Sequence, residues 1–269
     1  MSVGLRAALC LLLLSSFVSS LSACAPQPIT VTREPVTLHI VASDSCAPMA
    51  ESRAEAYEAS RPWVTIDIEV FSTALADQVV REESADLAFL SWLWDSHEDG
   101  AAPLWTEEIT REGIAVIVHP GSPVTDIGLA QLREIFRGRL QSWQGVTFTV
   151  VSREDGSGAR AAFESIVLGG ESTTLNAVVM PSSKAVIEYV ASTPGAIGYV
   201  STERLDDSVR VLPIEGVPPT EQTINDGQYA LWQPLYLASS GDPRGEAREF
   251  AQWLLSGGRT SISGAAIDP

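Results

Sequence analysis

The chain reads as an α/β protein folded into two lobes with a ligand cleft between them. Three observations carry this. From Val36 onward, β-branched runs alternate with segments of helical spacing, the pattern of a largely parallel sheet flanked by helices. The early strands run into hydroxyl-bearing turns, and in open sheets of this type ligands sit beyond the carboxyl ends of the strands. Chain crossings near Val118 and near Val200 divide the sequence into 36–117 with 201–269 as one lobe and 118–200 as the other. With 269 residues, 45% of them hydrophobic, the chain can fill two small cores.

Residues 1–23 read as a targeting segment. Arg6 is its charged region. The apolar run from Ala7 to Val18 is too short for a comfortable membrane span. It ends in Leu21-Ser22-Ala23-Cys24, which resembles the lipobox of a bacterial lipoprotein signal, with Cys24 as the lipidated first residue. An ordinary secretory peptide cut after a small residue is the alternative. Residues 24–35, polar and proline-bearing, form a tether. Cys10 would leave with the signal and Cys24 would carry lipid, so Cys46 has no partner and no internal disulfide is expected. His39, His97 and His119 are scattered, and nothing in their spacing suggests a metal site.

The first lobe opens with a strand over Val36–Val41, then Ser43-Asp44-Ser45-Cys46-Ala47-Pro48 leads into a helix that stops before Pro62. Val64–Phe71 is a second strand, followed by Ser72, Thr73 and another helix. Asp86–Leu90 is a third strand, ending at Ser91. Each of these hydroxyls could be a simple helix cap. Their recurrence at strand ends is what points Ser43, Ser45, Ser72, Thr73 and Ser91 toward one place. Trp92–Ala102 is irregular, with aromatics that pack under a loop. Gly113–His119 is the first crossing strand.

In the second lobe Leu129–Phe136 is a short amphipathic helix and Trp143 sits in a turn. Val146–Val151 is a strand that breaks at Gly156-Ser157-Gly158, where Ser157 can cap a helix bearing Phe163, Ile166 and Val167. Taken alone this is also an ordinary strand-to-helix turn. Yet glycines let a ligand approach the backbone, a helix start offers unpaired N–H groups and a positive dipole end, and Arg153 adds a charged planar fork. The combination suits an oxyanion. No Lys follows the glycines as in a P-loop, and the spacing is neither a dinucleotide fingerprint nor a hydrolase nucleophile elbow. Ser182 caps a helix to Ala191, and Ala196–Val200 is a strand. Val209–Ile214 and Tyr229–Leu237 are expected to return to the first lobe, and Glu246–Leu255 is the final helix.

The net charge is −17, and Lys184 is the one lysine among 17 basic residues. Such acidity argues against nucleic acid and against adhesion to anionic lipid. An anionic ligand would have to be held by local donors, against the overall field.

These stretches resemble the PstS-like phosphate-binding proteins of ABC transporters. Arg153-Glu154-Asp155-Gly156-Ser157-Gly158 is similar to that family's anion turn. Ile117–Val124, the helix and turn Leu129–Trp143, Gly195–Val200 and Ser43–Pro48 are similar to other family segments in the same order. The family's first turn is usually Ser-Ser-Thr-Val-Ala-Pro, which Ser43–Pro48 resembles. Ala159 replaces the Thr that usually follows Gly-Ser-Gly, Phe71-Ser72-Thr73-Ala74 replaces a glycine-rich loop, and Ser91-Trp92 replaces Ser-Arg or Ser-Asp. A buried donor lost to an anion costs about 1–3 kcal/mol.

The resemblance implies a periplasmic-binding-protein-like fold and capture of inorganic phosphate or a related oxyanion for an ABC importer. Ser43, Asp44, Ser45, Ser72, Thr73, Ser91, Arg153, Gly156, Ser157 and Gly158 would contact the ligand, with Asp44, or else Glu154, accepting the ligand's proton. It implies no enzyme activity, no metal and no cofactor. The implied setting is a monomer anchored to the outer face of the cell membrane through lipid on Cys24, serving permease subunits. A non-transport surface sensor or adhesion module on the same fold is the alternative. A hydrolase using Ser157 is a third reading, for which no base is identifiable.

Overall fold

The computed structural model describes residues 33–94 and 103–257. The expected targeting segment, Cys24, most of the expected tether and residues 95–102 lie outside them. Nearly all the described residues belong to one unit, Pro35–Pro269.

The first lobe begins with β1 (Val36–Ser43), α1 (Ala47–Ser60), β2 (Val64–Phe71), α2 (Thr73–Arg81) and β3 (Leu87–Leu90). β1 pairs in parallel with β2 on one side and β3 on the other. Pro48 stands in the first turn of α1, where its missing N–H removes no helical bond. Ser72 caps α2 by accepting from the Leu75 N–H at 3.3 Å. The inner strands are buried on both faces, so β1 and β3 read as continuous apolar runs. Ile40, Leu87 and Phe89 pack one way, against Tyr57, Phe250 and Leu254. Val41, Ala88 and Leu90 pack the other way, against Ala76 and Val80 of α2. Each large side chain so buried contributes about 1.5–3 kcal/mol.

β4 (Trp105–Val118) joins the lobes. It is longer than the expected Gly113–His119. Its charged, exposed first half, with Glu107, Glu108 and Arg111, hid the strand from hydrophobic patterning. The second lobe follows with α3 (Leu129–Phe136), the β5 (Ser142–Trp143) and β6 (Val146–Thr147) hairpin, β7 (Thr149–Arg153) and α4 (Gly158–Leu168). Gln144 and Gly145 both take positive φ between β5 and β6, the requirement of a tight primed hairpin turn. The expected single strand over Val146–Val151 is therefore split: its first residues turn back on Trp143, and the parallel strand begins at Thr149. Then come β8 (Val178–Met180), α5 (Ser183–Ser192), β9 (Ala196–Ser201), a short 3-10 turn (Thr202–Arg204), β10 (Arg210–Leu212) and α6 (Glu221–Asn225).

Finally β11 (Trp232–Ser239) and α7 (Gly245–Ser256) re-enter the first lobe. The main sheet runs β2-β1-β3-β11-β4-β9-β7-β8, mixed rather than largely parallel, because β4 and β11 run antiparallel to their neighbours. The first half of β4 pairs with β11 and its second half with β9 and β10. Alternate residues of that second half feed two faces: Ile114, Val116 and Val118 pack with Phe136, Phe163 and Tyr199, and Ala115 and Ile117 with Val186 and Val190.

The return to the first lobe departs from expectation. β10 pairs with β4 at Val116–Val118, and Leu212, Ile214, Ile224, Tyr229 and Leu231 all bury in the second lobe's core. Residues from 205 to about 231 thus pack with the second half of β4 and its neighbours. Apolar periodicity identifies a strand but not which sheet half it joins.

Candidate functional site

β7 delivers Arg153 to its carboxyl end, where the turn into α4 begins. Gly156 has φ of 83°, a region open to glycine and costly for other residues. Ser157 caps α4, accepting from the Arg160 N–H at 3.4 Å, which leaves its own hydroxyl proton to donate. Arg160 supports the turn from behind, with Nη1 donating to the Arg153 carbonyl at 3.1 Å. Tyr199 adds a second support: its hydroxyl meets Ser152 Oγ at 2.8 Å.

The turn lies directly against the first lobe. The Gly158 N–H donates to Thr73 Oγ1 at 3.0 Å, and the Ala74 N–H donates to the Gly156 carbonyl at 3.0 Å. Thr73 Oγ1 lies 3.1 Å from Ser91 Oγ, and the Ser43 hydroxyl donates to the same Ser91 oxygen at 3.3 Å. Ser43, Thr73, Ser91 and Ser157 are all buried. A methyl group on Gly158 would meet Thr73 Oγ1 at 2.8 Å and the Ser91 backbone carbon at 3.1 Å, so only glycine allows this approach. The result is a chain of hydroxyls that ends on a helix-start amide of the other lobe, a set of groups suited to an oxyanion.

Beside these hydroxyls lies a charged cluster. Arg153 is 2% exposed. Its Nε and Nη2 donate to the two carboxylate oxygens of Glu154, each at 2.9 Å, and its Nη1 donates to Asp44 Oδ2 at 2.9 Å and to Ser183 Oγ at 2.8 Å. Asp44 Oδ2 also accepts from the Ser183 N–H at 3.0 Å and the Ser183 hydroxyl at 2.6 Å. Ser183 is the first residue of α5, so the carboxylate sits on that helix's positive end. Arg204 donates through Nε and Nη2 to the Asp44 backbone carbonyl. Burial alone raises the Asp44 carboxyl, but the Ser183 hydroxyl, the Arg153 charge and the Ser183 amide together outweigh it and hold the group below its ordinary range. For Arg153 burial works against the charge, and the carboxylates of Glu154 and Asp44 more than restore it.

Where the chain crosses between lobes, Glu112 of β4 is buried, accepting from the Ser201 hydroxyl at the end of β9 and from Gln233 Nε2 of β11 at 3.0 Å. Its two partners are neutral. Burial pushes its carboxyl up to about 7, with Ser201 and Gln233 offsetting part of the effect and Glu203 adding to it.

Of the residues expected at the site, Ser43, Thr73, Ser91 and Gly158 meet in one hydrogen-bonded set, and Gly156 and Ser157 frame it. Asp44 and Arg153 pair with each other. Ser72 spends its oxygen on the α2 cap. Ser45 is buried and, like Ser43, lies beside the buried Cys46 thiol, whose pKa burial drives up. Ser183 and Arg204 were not foreseen. The Ser182-Ser183 pair at a helix start was a usable signal for the first; Arg204 follows a strand with no motif to mark it. Among the described residues, no group of three or more His, Cys, Asp or Glu could hold a metal ion, and no helix is long and apolar enough to cross a membrane.

A mixed sheet in two halves, with hydroxyls and amides of both meeting at one place, fits the two-lobed binding-protein fold. Comparison with known proteins agrees and narrows it. The model of the PBP superfamily domain matches residues 30–257. The phosphate-binding protein PstS of Bacillus subtilis (strain 168) is 29% identical over 228 residues, 82% of this chain and 75% of its own length. A putative phosphate ABC transporter substrate-binding protein from Clostridium perfringens, solved with bound phosphate, superposes with a TM-score of 0.77 at 30% identity, over 83% of this chain and 94% of that one. An ABC-type phosphate transport receptor from Vibrio cholerae gives 0.67 at 26% identity, over 82% and 94%. The chain belongs to the PBP superfamily and, within it, to the PstS-like binding proteins of ABC transporters.

Proposed function

We propose that this protein captures inorganic phosphate, or a closely related oxyanion, outside the cytoplasm and presents it to an ABC importer. The observation that carries the reading is the meeting of the Gly156-Ser157-Gly158 turn with Ser43, Thr73 and Ser91 across the cleft, beside the buried Arg153. Lipid on Cys24 holds the protein at the outer membrane face near its permease, and it works as a monomer without cofactor or catalysis. Ser157 and Ser91 donate hydroxyls to the anion beside the α4 start, and Arg153 supplies charge. Lobe closure on the anion then signals occupancy to the transporter.

Calorimetric titration with phosphate, arsenate, sulfate and molybdate tests this. Binding of phosphate and arsenate but not sulfate is the expected outcome. Binding of sulfate or molybdate instead changes the substrate and keeps the role. Silence with all four, in folded protein, overturns the reading in favour of a sensor or adhesion module. Mass spectrometry of the membrane-derived protein checks for diacylglycerol on Cys24.

A further inference from the structure

The first ligand turn holds an anion of its own. Asp44 stands where the family pattern has Ser, and its carboxylate does what a bound oxyanion would do. It lies on the N-terminus of α5, takes the Ser183 amide at 3.0 Å and hydroxyl at 2.6 Å, and takes Arg153 Nη1 at 2.9 Å. Glu154 occupies Nε and Nη2 of the same guanidinium, so four of its five N–H bonds are already directed to Asp44, Ser183 and Glu154. Asp44 belongs to the first lobe and all these donors to the second. Arg204, from the short turn after β9, grips the Asp44 carbonyl and lies 3.6 Å from Oδ1. We infer that Asp44 is an internal oxyanion ligand: it clasps the two lobes together and competes with the incoming anion for Arg153 and Ser183.

A serine here would add a donor and leave Arg153 with one carboxylate partner. A carboxylate adds a charge that any phosphate must displace or repel, in a chain whose net charge is already −17. Asp44 would then set affinity and hold back binding until phosphate is plentiful. Its competitive half rests on the proposed anion capture; its clasp half does not.

The test uses the full chain in detergent, as wild type, Asp44→Ser and the isosteric Asp44→Asn. The first readout is phosphate affinity by calorimetry. The second is hydrogen exchange, without added anion, of the Ala74 and Gly158 amides, which are bonded across the cleft. The expected result is phosphate binding at least tenfold tighter in Asp44→Ser, with exchange at both amides at least tenfold faster in each variant. Equal or weaker phosphate binding in Asp44→Ser, with unchanged exchange, overturns the inference and leaves anion capture standing. Faster exchange in the variants while neither wild type nor Asp44→Ser binds any of the four anions upholds the clasp and removes the phosphate reading.

Discussion

Arg153 and Glu112 are both buried ionisable side chains near the cleft, and the structure treats them in opposite ways. Arg153 is surrounded by two carboxylates and the Ser183 hydroxyl, and the carboxylates reinforce its charge. Glu112 is 3% exposed and has only Ser201 and Gln233 as partners, and its carboxyl is driven toward the neutral form. Burial costs both groups. The sign of the outcome depends on whether countercharges arrive with it. The contrast separates the two regions by task. The cleft is built to keep charge, which a binding site needs. The crossing point is built to hold strands together, which a protonated carboxyl does as well as an ionised one.

The sharpest way to break this contrast is to remove one side of the charged cluster. Arg153→Met leaves Asp44 and Glu154 facing each other without their cation. Stability should fall by about 3–5 kcal/mol in denaturant unfolding, the usual cost of orphaning one partner of a buried ion pair. Anion binding should be lost with it. Arg111→Met is the control: Arg111 is half-exposed and rests on the Trp232 ring, and its loss should leave binding intact. Equal binding in both variants would remove Arg153 from the site.

Glu112 supplies the next largest effect, through pH. Its carboxyl keeps a proton in the folded state up to about 7, against an ordinary value of 4.5 in the unfolded chain. The folded state therefore binds more protons between those values. The associated stabilisation is complete below the unfolded value and is lost as pH rises through about 7, on the order of 3 kcal/mol in all. Unfolding free energies of wild type and Glu112→Gln, measured at steps from pH 4 to 8, should diverge with that slope, the variant lacking it. Parallel curves would mean that Glu112 stays ionised despite its neutral partners.

Most of this was legible in the sequence, and the failures have physical causes. The Gly-Ser-Gly turn was readable because a cap, a break and a following helix agree at Ser157. The hydroxyl turns were readable because strand ends of a parallel sheet point one way. The pairing of Asp44 with Arg153 was not, because a carboxylate beside glycines and serines looks the same whether or not it meets a guanidinium more than a hundred residues on. Glu112 gave no signal, since it lies in a run of charged residues whose exposed members mask the buried one. The placement of β10 failed for a related reason: local pattern does not report which half of β4 a strand will join.

A smaller perturbation probes how closely the lobes meet. Gly158→Ala places a methyl group against Thr73 and Ser91 of the opposite lobe. The α4 backbone itself tolerates alanine, so the strain falls on the interface between lobes. A cost of about 1–3 kcal/mol is expected, as for other overpacked sites. Anion affinity should drop at least tenfold by calorimetry. An affinity equal to wild type would mean that the hydroxyls of Thr73 and Ser91 can retreat without loss.

The least effect is expected two residues from Arg153. Asp155 sits between Glu154 and Gly156, yet its side chain is 94% exposed and pairs only with Arg160, at 2.6 Å. Arg160 keeps two other holds, on Glu164 at 2.9 Å and on the Arg153 carbonyl at 3.1 Å. Solvent screens the Asp155 pair and entropy opposes it. Asp155→Asn should therefore leave both the unfolding midpoint and the anion affinity unchanged, while Glu164→Gln, which also weakens the bond from the Thr173 amide at 2.9 Å, lowers the midpoint. If Asp155→Asn alone weakens binding, the turn depends on its exposed charge, and the division between a charged cleft and a solvated rim does not hold.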